Sequence, residues 1–569
     1  MTHVVIDPVT RIEGHLRIEA EVDAGVVGDA WASGTMFRGI ELILQGRDPR
    51  EAWLYTQRIC NVCTMVHAVA SVRAVEDALG ITPPPLAVIT RNLIAGFQYL
   101  HDHVVTFFHL RAIADWMDVT AALTADVDKT VELAQGLSDW PGNSHAWFRT
   151  VQEKLKAFAN TGLLGPLANG YWGHPAYTLA PEVDLMLAAH YLEALDWQCE
   201  VVKAHAILGG KNPALQTFLV GGMALPVDPD SAVALNAEKL AYLREIADNA
   251  QHFVENVYLA DHFVVSTEYR DWKGIGERTG NFLAYGDFPM SPDGDPGSFA
   301  FPGGVIVGRD LADVREVDTD LVTEEVTRAW YAGDGPAHPF QETTDPAYTG
   351  PTPPYDRLDV EGRYTWVKAP RYAGLPMEVG PLARVLVAYA RGVPRIRELT
   401  DGLLADVGLA VDDLFSTLGR RMARWVETKY LAELIFLWLD QLEAAMVAGD
   451  RTTHEPQGWD PAHWPAEAMG VGLHEAPRGA LAHFVRIADR KIANYQCVVP
   501  TTWNASPRDA AGTRGPLEAA LLGTPVVDPS RPLEILRVVH SFDPCMACAV
   551  HVLDARGATT GTLEEVLQP

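Results

Sequence analysis

Two pairs of cysteines, each spaced as C-x-x-C and each followed by a histidine, are the strongest chemical signal in the sequence. The first lies in RICNVCTMVH, with Cys60 and Cys63, and the second in DPCMACAVH, with Cys545 and Cys548. Two thiolates at this spacing can hold one metal ion, and two such pairs supply a four-sulfur site. Because nearly the whole chain separates the pairs, the fold must decide whether they meet.

Three kinds of chemistry are compatible with these pairs. A structural zinc usually joins pairs within tens of residues of each other and staples a small loop, which a large hydrophobic chain does not need. Thioredoxin-like redox activity needs a pair in a compact strand–helix context, and neither pair has one. A chemically active metal is therefore favoured, although the residue types alone leave all three open. The remaining cysteines, Cys199 and Cys497, are interpreted as small core hydrophobes, since six cysteines in so long a chain do not make a disulfide framework.

The pattern around the pairs predicts a mainly α chain with additional β structure, an α+β fold built on a bundle of long helices. Apolar residues alternate from Leu16 to Val22 before a turn at Asp23 to Gly25, which predicts an N-terminal hairpin. From Asn61 the apolar spacing becomes helical until Gly80 ends it. Longer helices are predicted at about 88–118, 182–208, 230–262 and 411–448.

The chain is predicted to form one large catalytic unit, residues 1–551, followed by a C-terminal extension, 552–569. Within the unit, residues 265–375 are rich in Gly, Pro and Asp and contain short strand-like runs such as TWVKA. Aromatic residues recur through this segment, so we expect an irregular, strand-containing insertion that lies over the bundle.

Composition excludes some partners. With a formal net charge of −29 over 569 residues, the chain would repel nucleic acid, and small neutral substrates are easier to accommodate. The most apolar helical stretch carries Glu433, Asp440 and Glu443, so no membrane-spanning helix is predicted. The N-terminus, MTHVVIDPVTRIEGH, has no secretory signal, and export would depend on another chain.

Motifs along the whole chain resemble those of the large, catalytic subunit of nickel-iron hydrogenases of the uptake type, in precursor form. The segments that carry the resemblance are DPVTRIEGHLRIE at 7–19, FRGIELIL at 37–44, RICNVCTMVHAVASVRAVEDALG at 58–80, HAILGGKNPALQTFLVGG at 205–222, EAPRGALAHF at 475–484, NYQCVVPTTWN at 494–504 and SFDPCMACAVH at 541–551. One departure is Asn61, where the family usually has Gly. Asn tolerates left-handed backbone angles, so the turn is expected to survive.

The resemblance implies that all four paired cysteines ligate nickel, and that Cys63 and Cys548 also bridge to an iron carrying carbon monoxide and cyanide ligands. Soft thiolates suit a redox-active metal. The resemblance places Arg478 and Thr501 beside the diatomic ligands, with Pro477 among the apolar residues of the wall.

The resemblance also implies a route for the protons of H2. A terminal thiolate, Cys545, would accept the proton and pass it to Glu13, a carboxylate whose pKa burial would raise towards neutral. Arg478 is an alternative base, but a guanidinium with a pKa above about 12 normally stays charged, so a positioning role is favoured. Asp102 and Asp543 would hold that arginine.

A second metal and an accessory histidine follow from the same resemblance. Glu41, the backbone carbonyl of Cys497 and His551 correspond to the ligands of a magnesium ion, which prefers oxygen-rich octahedral sites. His67 lies four residues after Cys63 and is expected to hydrogen-bond a cysteine sulfur beside the cofactor, not to ligate metal.

Partners are also implied. The extension after His551 would be removed by a maturation endopeptidase once nickel-insertion chaperones have loaded the metal. Electrons would leave through a small subunit carrying iron-sulfur clusters, because the two remaining cysteines cannot hold one. A heterodimer is expected, or a dimer of heterodimers, membrane-associated or periplasm-facing through the small subunit and a membrane cytochrome b; a cytoplasmic location is the alternative.

Two other classes share the site. A regulatory hydrogen sensor would carry similar residues, but sensors commonly lack the cleavable tail. A metal-free relative from a respiratory complex generally lacks the paired cysteines. The sequence therefore favours the hydrogen-oxidising enzyme, with H2 as substrate.

Overall fold

The computed structural model describes residues 2–161, 170–333, 335–351 and 355–549. Long helices and small antiparallel sheets build it, which confirms the predicted α+β class. The α-helices are α1 Ile40–Leu44, α2 Ala52–Thr56, α3 Val66–Leu79, α4 Pro85–Val105, α5 Val119–Ala122, α6 Val127–Leu137, α7 His145–Thr161, α8 Pro181–Gly209, α9 Ala237–Phe253, α10 Leu259–Glu268, α11 Pro381–Ala390, α12 Pro394–Val407, α13 Thr417–Val447, α14 Pro500–Asn504, α15 Pro516–Leu521, α16 Leu533–Ser541 and α17 Met546–Ala549. The strands are β1 Thr2–Ile6, β2 Leu16–Asp23, β3 Val26–Gly34, β4 Phe218–Leu219, β5 Gly222–Met223, β6 Phe282–Ala284, β7 Asp287–Pro289, β8 Phe299–Phe301, β9 Gly304–Ile306, β10 Val314–Arg315, β11 Val322–Glu325, β12 Ala369–Tyr372, β13 Glu467–Ala476, β14 Gly479–Ala488 and β15 Lys491–Val498.

The bundle is formed by α4, α8, α9 and α13, which pack side by side. Proline at the first turn starts α4 and α8, and the Ser416 hydroxyl caps α13 by accepting the Gly419 N–H at 3.1 Å. The predicted helices are found near their expected positions, with one clear shift. The helix predicted at about 230–262 begins only at Ala237, the first residue of α9. The Asn236 side chain caps α9 there by accepting the Lys239 N–H at 2.9 Å.

Two helices of the bundle continue without a break into π-helical turns. Thr106–Trp116 extends α4 and Val254–Tyr258 joins α9 to α10. Wide π turns bring side chains to positions that a regular helix would not reach, and they are frequent at functional sites. None of the described helices has both the length and the apolar composition that a membrane span needs.

The first three strands form an antiparallel sheet in the order β1-β2-β3. The predicted hairpin, β2 and β3, is present, and β1 adds to its edge, pairing Ile6 with Ile18. The RIEGH motif lies in the connection between β1 and β2, where it leaves the sheet and turns towards the cysteines.

A second sheet, β13-β14-β15, lies against α3, the helix that follows the first cysteine pair. Gly472 makes this close packing possible, because a Cβ there would lie 1.9 Å from the Ala70 carbonyl oxygen of α3. The sequence prediction missed this sheet. It also placed the start of α3 at Asn61, whereas residues 61–65 form bends and turns and the helix begins at Val66.

The insertion at 265–375 contains β6 to β12 and short turns. TWVKA is not the strand that the sequence suggested, since β12 begins only at its last residue, Ala369. The aromatic residues of the insertion are partly internal: Trp330 is 1% exposed and belongs to the same hydrophobic cluster as Val4 and Ala549 near the two ends of the described chain. The insertion therefore packs on the bundle and contributes to its core.

Candidate metal centre

Four buried sulfurs from the two ends of the chain converge on one point. The Sγ atoms of Cys60, Cys63, Cys545 and Cys548 all lie within 4.8 Å of one another, and none of these residues is more than 4% exposed. Across the pairs, Cys545 lies 3.4 Å from Cys60 and Cys548 lies 3.6 Å from Cys63, while Cys545 and Cys548 lie 2.7 Å apart. A tetrahedral ion with metal–sulfur bonds of about 2.3 Å needs sulfurs about 3.8 Å apart, so one cation at the centre would contact all four.

The first pair is held by a turn after a short 3-10 helix, Gln57–Ile59. The Cys63 N–H donates to the Cys60 sulfur at 3.2 Å, which closes the turn. Asn61, at its tip, is exposed and lies outside the left-handed region. The turn therefore makes no use of the special backbone freedom that Gly or Asn would provide, contrary to our reason for expecting it to survive.

The second pair is held by the RIEGH motif and by Thr501. The Cys545 N–H donates to Thr501 Oγ1 at 3.0 Å, and the Met546 N–H donates to the Glu13 carbonyl oxygen at 2.7 Å. Gly14 has a φ of +84°, and a Cβ there would lie 2.4 Å from the Ala547 nitrogen. Only glycine lets the two segments approach this closely.

Arg38 ties the two cysteine loops together, a role that the sequence did not reveal. Its guanidinium donates to the carbonyl oxygen of Ile59, just before the first pair, and to that of Ala547, inside the second, the latter at 2.6 Å. These loops are separated by almost 500 positions. Arg38 lies within the quoted motif FRGIELIL, but nothing in its local context predicts the contact.

Arg478 reaches the centre between two carboxylates. Its Nη1 lies 3.2 Å from Asp102 and its Nη2 lies 3.2 Å from Asp543. Burial alone would lower the pKa of Arg478, but these carboxylates hold it well above its ordinary value, so the guanidinium stays charged. Burial raises the pKa of Asp102 to about 7 despite Arg478. Arg111, which sequence reasoning also missed, contacts Asp543 at 2.5 Å from the π-helical turn.

Glu13 lies beside the first pair as well as the second. Burial, and next the thiolate of Cys60, raise the pKa of Glu13, while Arg478 and Arg38 oppose this shift. The side chain is only half buried, so it lies between the enclosed sulfurs and the surface. A carboxyl group in this position can exchange a proton with either side.

His67 contacts a sulfur of the other pair. Its Nε2 lies 3.5 Å from Cys548 Sγ, and its Nδ1 lies 3.1 Å from Nε2 of His483. Burial lowers the pKa of His67 to about 4, so the ring is neutral. Sequence spacing suggested a sulfur partner near Cys63, yet Cys63 precedes the helix and the partner comes from the far end of the chain.

A small cavity adjoins the sulfurs. Its lining residues are Cys63, Val66, His67, Ala476, Arg478, Leu481, Pro500, Thr501, Cys545 and Cys548. The Nε of Arg478 is buried there without a hydrogen-bond partner in the described part of the chain. Pro477 is not part of this lining; its carbonyl oxygen accepts from Arg384 at 3.0 Å.

A second buried polar cluster surrounds Glu41. The Cys497 N–H donates to Glu41 Oε1 at 2.9 Å, and the Lys368 ammonium lies 3.8 Å from Oε2. Lys368 also lies 3.3 Å from Glu324 and 3.0 Å from Glu342. Burial raises the pKa of Glu41; Lys368 opposes this rise, and the neighbouring carboxylate of Glu324 adds to it. The expected third magnesium ligand, His551, lies outside the described residues.

Cys199 is exposed on α8 and is not the core hydrophobe that we expected, whereas Cys497 is buried. The only group of metal-ligating side chains found among the described residues is the four-cysteine cluster. Its all-sulfur donor set fits a soft or borderline ion, which includes both nickel and zinc. Comparison with known proteins separates these two.

The chain is similar to hydrogenases over almost its full length. It is 48% identical to the uptake hydrogenase large subunit of Bradyrhizobium diazoefficiens over 97% of this chain and 96% of that protein, and 46% identical to the hydrogenase-1 large chain of Escherichia coli over 98% and 96%. The structure of the Ni-Fe-Se hydrogenase from D. vulgaris Hildenborough superposes with a TM-score of 0.75 at 32% identity, covering 97% of this chain and all of that one.

A HoxL-like family pattern matches residues 3–32, and the nickel-dependent hydrogenase family pattern matches residues 38–551, from Arg38 to the histidine after the second cysteine pair. This match confirms the resemblance drawn from the motifs. The chain belongs to the nickel-dependent hydrogenase family.

Proposed function

We propose that this chain is the catalytic subunit of an uptake hydrogenase, which splits H2 into protons and electrons. The observation that carries the proposal is the convergence of four buried sulfurs within 4.8 Å in a chain 48% identical to an uptake hydrogenase large subunit. A purely structural zinc would add little stability here, because one hydrophobic core already includes residues from both ends of the described chain, Val4 and Ala549.

The four cysteines would hold nickel, with Cys63 and Cys548 shared with an iron that carries carbon monoxide and cyanide. The cavity beside these two sulfurs supports this assignment. Its apolar wall suits diatomic ligands. The Nε of Arg478, which has no hydrogen-bond partner among the described residues, and the hydroxyl of Thr501 would supply hydrogen bonds to them. When bound, such a centre supplies the redox chemistry by accepting the electron pair of H2.

The residues of this chain would then handle the protons. Cys545 Sγ accepts the two protons of H2 one after the other, and Glu13, whose backbone is bonded to the same loop, takes each of them towards the surface. Burial, above all, raises the pKa of Glu13, so this carboxyl group takes up a proton more readily than one in water. Arg478 stays charged between Asp102 and Asp543 and positions the reacting group without acting as the base.

The cluster around Glu41 would hold magnesium, with Glu41 as one ligand, the Cys497 carbonyl as another and His551 as the third. Three buried carboxylates against one ammonium leave an excess negative charge that a divalent cation would neutralise. We propose that cleavage after His551 by a maturation endopeptidase, following nickel insertion by chaperones, completes this site.

Electrons would leave to an iron-sulfur small subunit, in a heterodimer or a dimer of heterodimers. The relatives that this chain resembles are named large subunits, which implies a smaller partner. In addition, the turn that carries the first cysteine pair reaches the surface at Asn61. A partner docked on that turn would lie directly beside the metal. We further propose that the complex is attached to a membrane through the small subunit and a cytochrome b.

Infrared spectroscopy and metal analysis of the purified complex test the proposal together. We expect one nickel and carbon monoxide and cyanide bands that change between hydrogen and air. Cys545→Ser should lose the nickel, whereas Cys199→Ser, on the exposed face of α8, should keep it. Zinc in place of nickel, or a nickel-loaded Cys545→Ser protein with normal bands, would overturn the proposal.

A further inference from the structure

A chain of hydrogen-bonding side chains leads away from the sulfur of Cys548 into the protein. His67 Nε2 lies 3.5 Å from that sulfur, and His67 Nδ1 lies 3.1 Å from His483 Nε2. His483 Nδ1 lies 2.9 Å from the Tyr495 hydroxyl, which lies 2.9 Å from the Ser71 hydroxyl. Each of these five residues is at most 4% exposed, so water does not compete for the contacts.

The sense of these hydrogen bonds follows from the chemistry of the sulfur. A neutral imidazole donates through one nitrogen and accepts through the other, so the donors of the whole chain point either towards the sulfur or away from it. A metal-bound thiolate carries no proton and can only accept. His67 must then carry its hydrogen on Nε2, His483 on its own Nε2, and the Tyr495 O–H must point at His483.

Tyr495 and Ser71, which lie farthest from the sulfur in this series of hydrogen bonds, are suited to keep the donors pointing towards the sulfur. Burial raises the pKa of Tyr495 well above its ordinary value, so its hydroxyl keeps its proton and can donate it in a hydrogen bond. Ser71, on the first turns of α3, can donate to the Tyr495 oxygen in return. The strand β14 brings His483 between the helix and β15, and hence between His67 and Tyr495.

We propose that His483 and Tyr495 are positioning residues that fix His67 as an Nε2–H donor to the sulfur of Cys548. The proposal rests on the proposed function, in which this sulfur bridges nickel and iron. A permanent hydrogen bond to a bridging thiolate withdraws electron density from it and makes the metal centre easier to reduce. His67 therefore makes the metal centre easier to reduce only as long as His483 and Tyr495 keep its hydrogen on Nε2.

Neutron diffraction from deuterium-exchanged crystals of the loaded complex tests the tautomers directly. We expect deuterium on Nε2 of both His67 and His483 and on the Tyr495 oxygen, directed at His483. Deuterium on Nδ1 of His67 would overturn the proposal. Nickel content of the same crystals reports on the proposed function separately, so that the two failures are distinguishable.

Variants test the consequence for the metal. Tyr495→Phe and His483→Leu should lower the midpoint potential of the nickel signal in a redox titration followed by electron paramagnetic resonance. His483→Gln, which keeps an N–H donor at similar reach, should restore the wild-type potential. If Tyr495→Phe fails to fold, the two His483 variants still decide the matter: equal potentials in both would refute the proposal. Tyr364→Phe is the control and should keep the wild-type potential. It also removes a buried hydroxyl, but that hydroxyl donates to Glu518 at 2.9 Å and takes no part in the hydrogen bonds that lead to Cys548.

Discussion

Gly14→Ala should open the contact between the two ends of the chain. Gly14 has a φ of +84°, and an added Cβ would lie 2.4 Å from the Ala547 nitrogen and 2.9 Å from the Met546 carbonyl carbon. Both neighbours are backbone atoms of the loop that carries the second cysteine pair, so no flexible side chain can move aside. The loop would have to retreat by about 0.6 Å to reach the 3.0 Å limit of real Cβ contacts.

The cost can be estimated from its parts. A non-glycine residue in the left-handed region costs about 1–2 kcal/mol. Retreat of the loop also weakens the hydrogen bond from Met546 to the Glu13 carbonyl, now 2.7 Å long, which contributes about 1 kcal/mol. The resulting 2–3 kcal/mol corresponds to a loss of about 30- to 150-fold in the equilibrium for keeping both sulfur pairs on one metal.

Nickel content after dialysis against a chelator is the appropriate assay, with thermal unfolding of the complex measured in parallel. Gly80→Ala is the matched control. Gly80 has a φ of +65° but nothing lies within 4 Å of its added Cβ, so it carries the conformational strain without the collision. We expect normal nickel retention in the control. Wild-type nickel retention and activity in Gly14→Ala would refute the reasoning about close approach.

Three further predictions follow from the structure. The Arg38→Met variant should release nickel to a chelator about 10- to 150-fold faster, because the carbonyl of Ala547 loses a charge-assisted hydrogen bond worth about 1.5–3 kcal/mol; an unchanged release rate would mean that Arg38 does not hold the two cysteine loops together. Gly472→Ala should lower the unfolding temperature by the equivalent of about 1–3 kcal/mol, because its Cβ would meet the backbone of α3; an unchanged unfolding temperature would mean that the sheet does not press on the helix. Burial raises the pKa of Asp184 from 3.8 to about 8. Because its folded pKa exceeds its unfolded pKa, stability should fall as pH rises from about 4 to about 8, by about 1.4 kcal/mol per pH unit from this group. In denaturant titrations, the free energy of unfolding of Asp184→Asn should therefore rise relative to that of the wild type as pH increases. Parallel pH profiles of the two proteins would refute this.

The parts of the fold that the sequence predicted are those with strong local signals. Long helices with proline at their first turns and the alternating strand from Leu16 to Val22 were found where expected. The sheet β13-β14-β15 was missed because β14 is buried on both faces along most of its length. Such a strand shows no alternation of apolar and polar residues. Gly470 and Gly472 lower the local preference for a strand. The structure requires glycine at both positions because a Cβ would collide with the backbone of α3.

The candidate site divides in the same way. Residue type and motif identified the cysteines and the acidic partners of Arg478, because each carries its chemistry in its side chain. Arg38, Arg111 and His483 could not be found, since their importance lies in contacts with residues hundreds of positions away. His67 does contact a cysteine sulfur, as expected, but helical spacing could not show that this sulfur belongs to Cys548, because such spacing concerns only neighbours in sequence.

Anomalous diffraction from the purified complex at the nickel absorption edge tests the central claim most directly. The account predicts a single nickel peak within bonding distance of the sulfurs of Cys60, Cys63, Cys545 and Cys548. A peak bonded to only one of the two pairs, or an anomalous signal at the zinc edge instead, would contradict it.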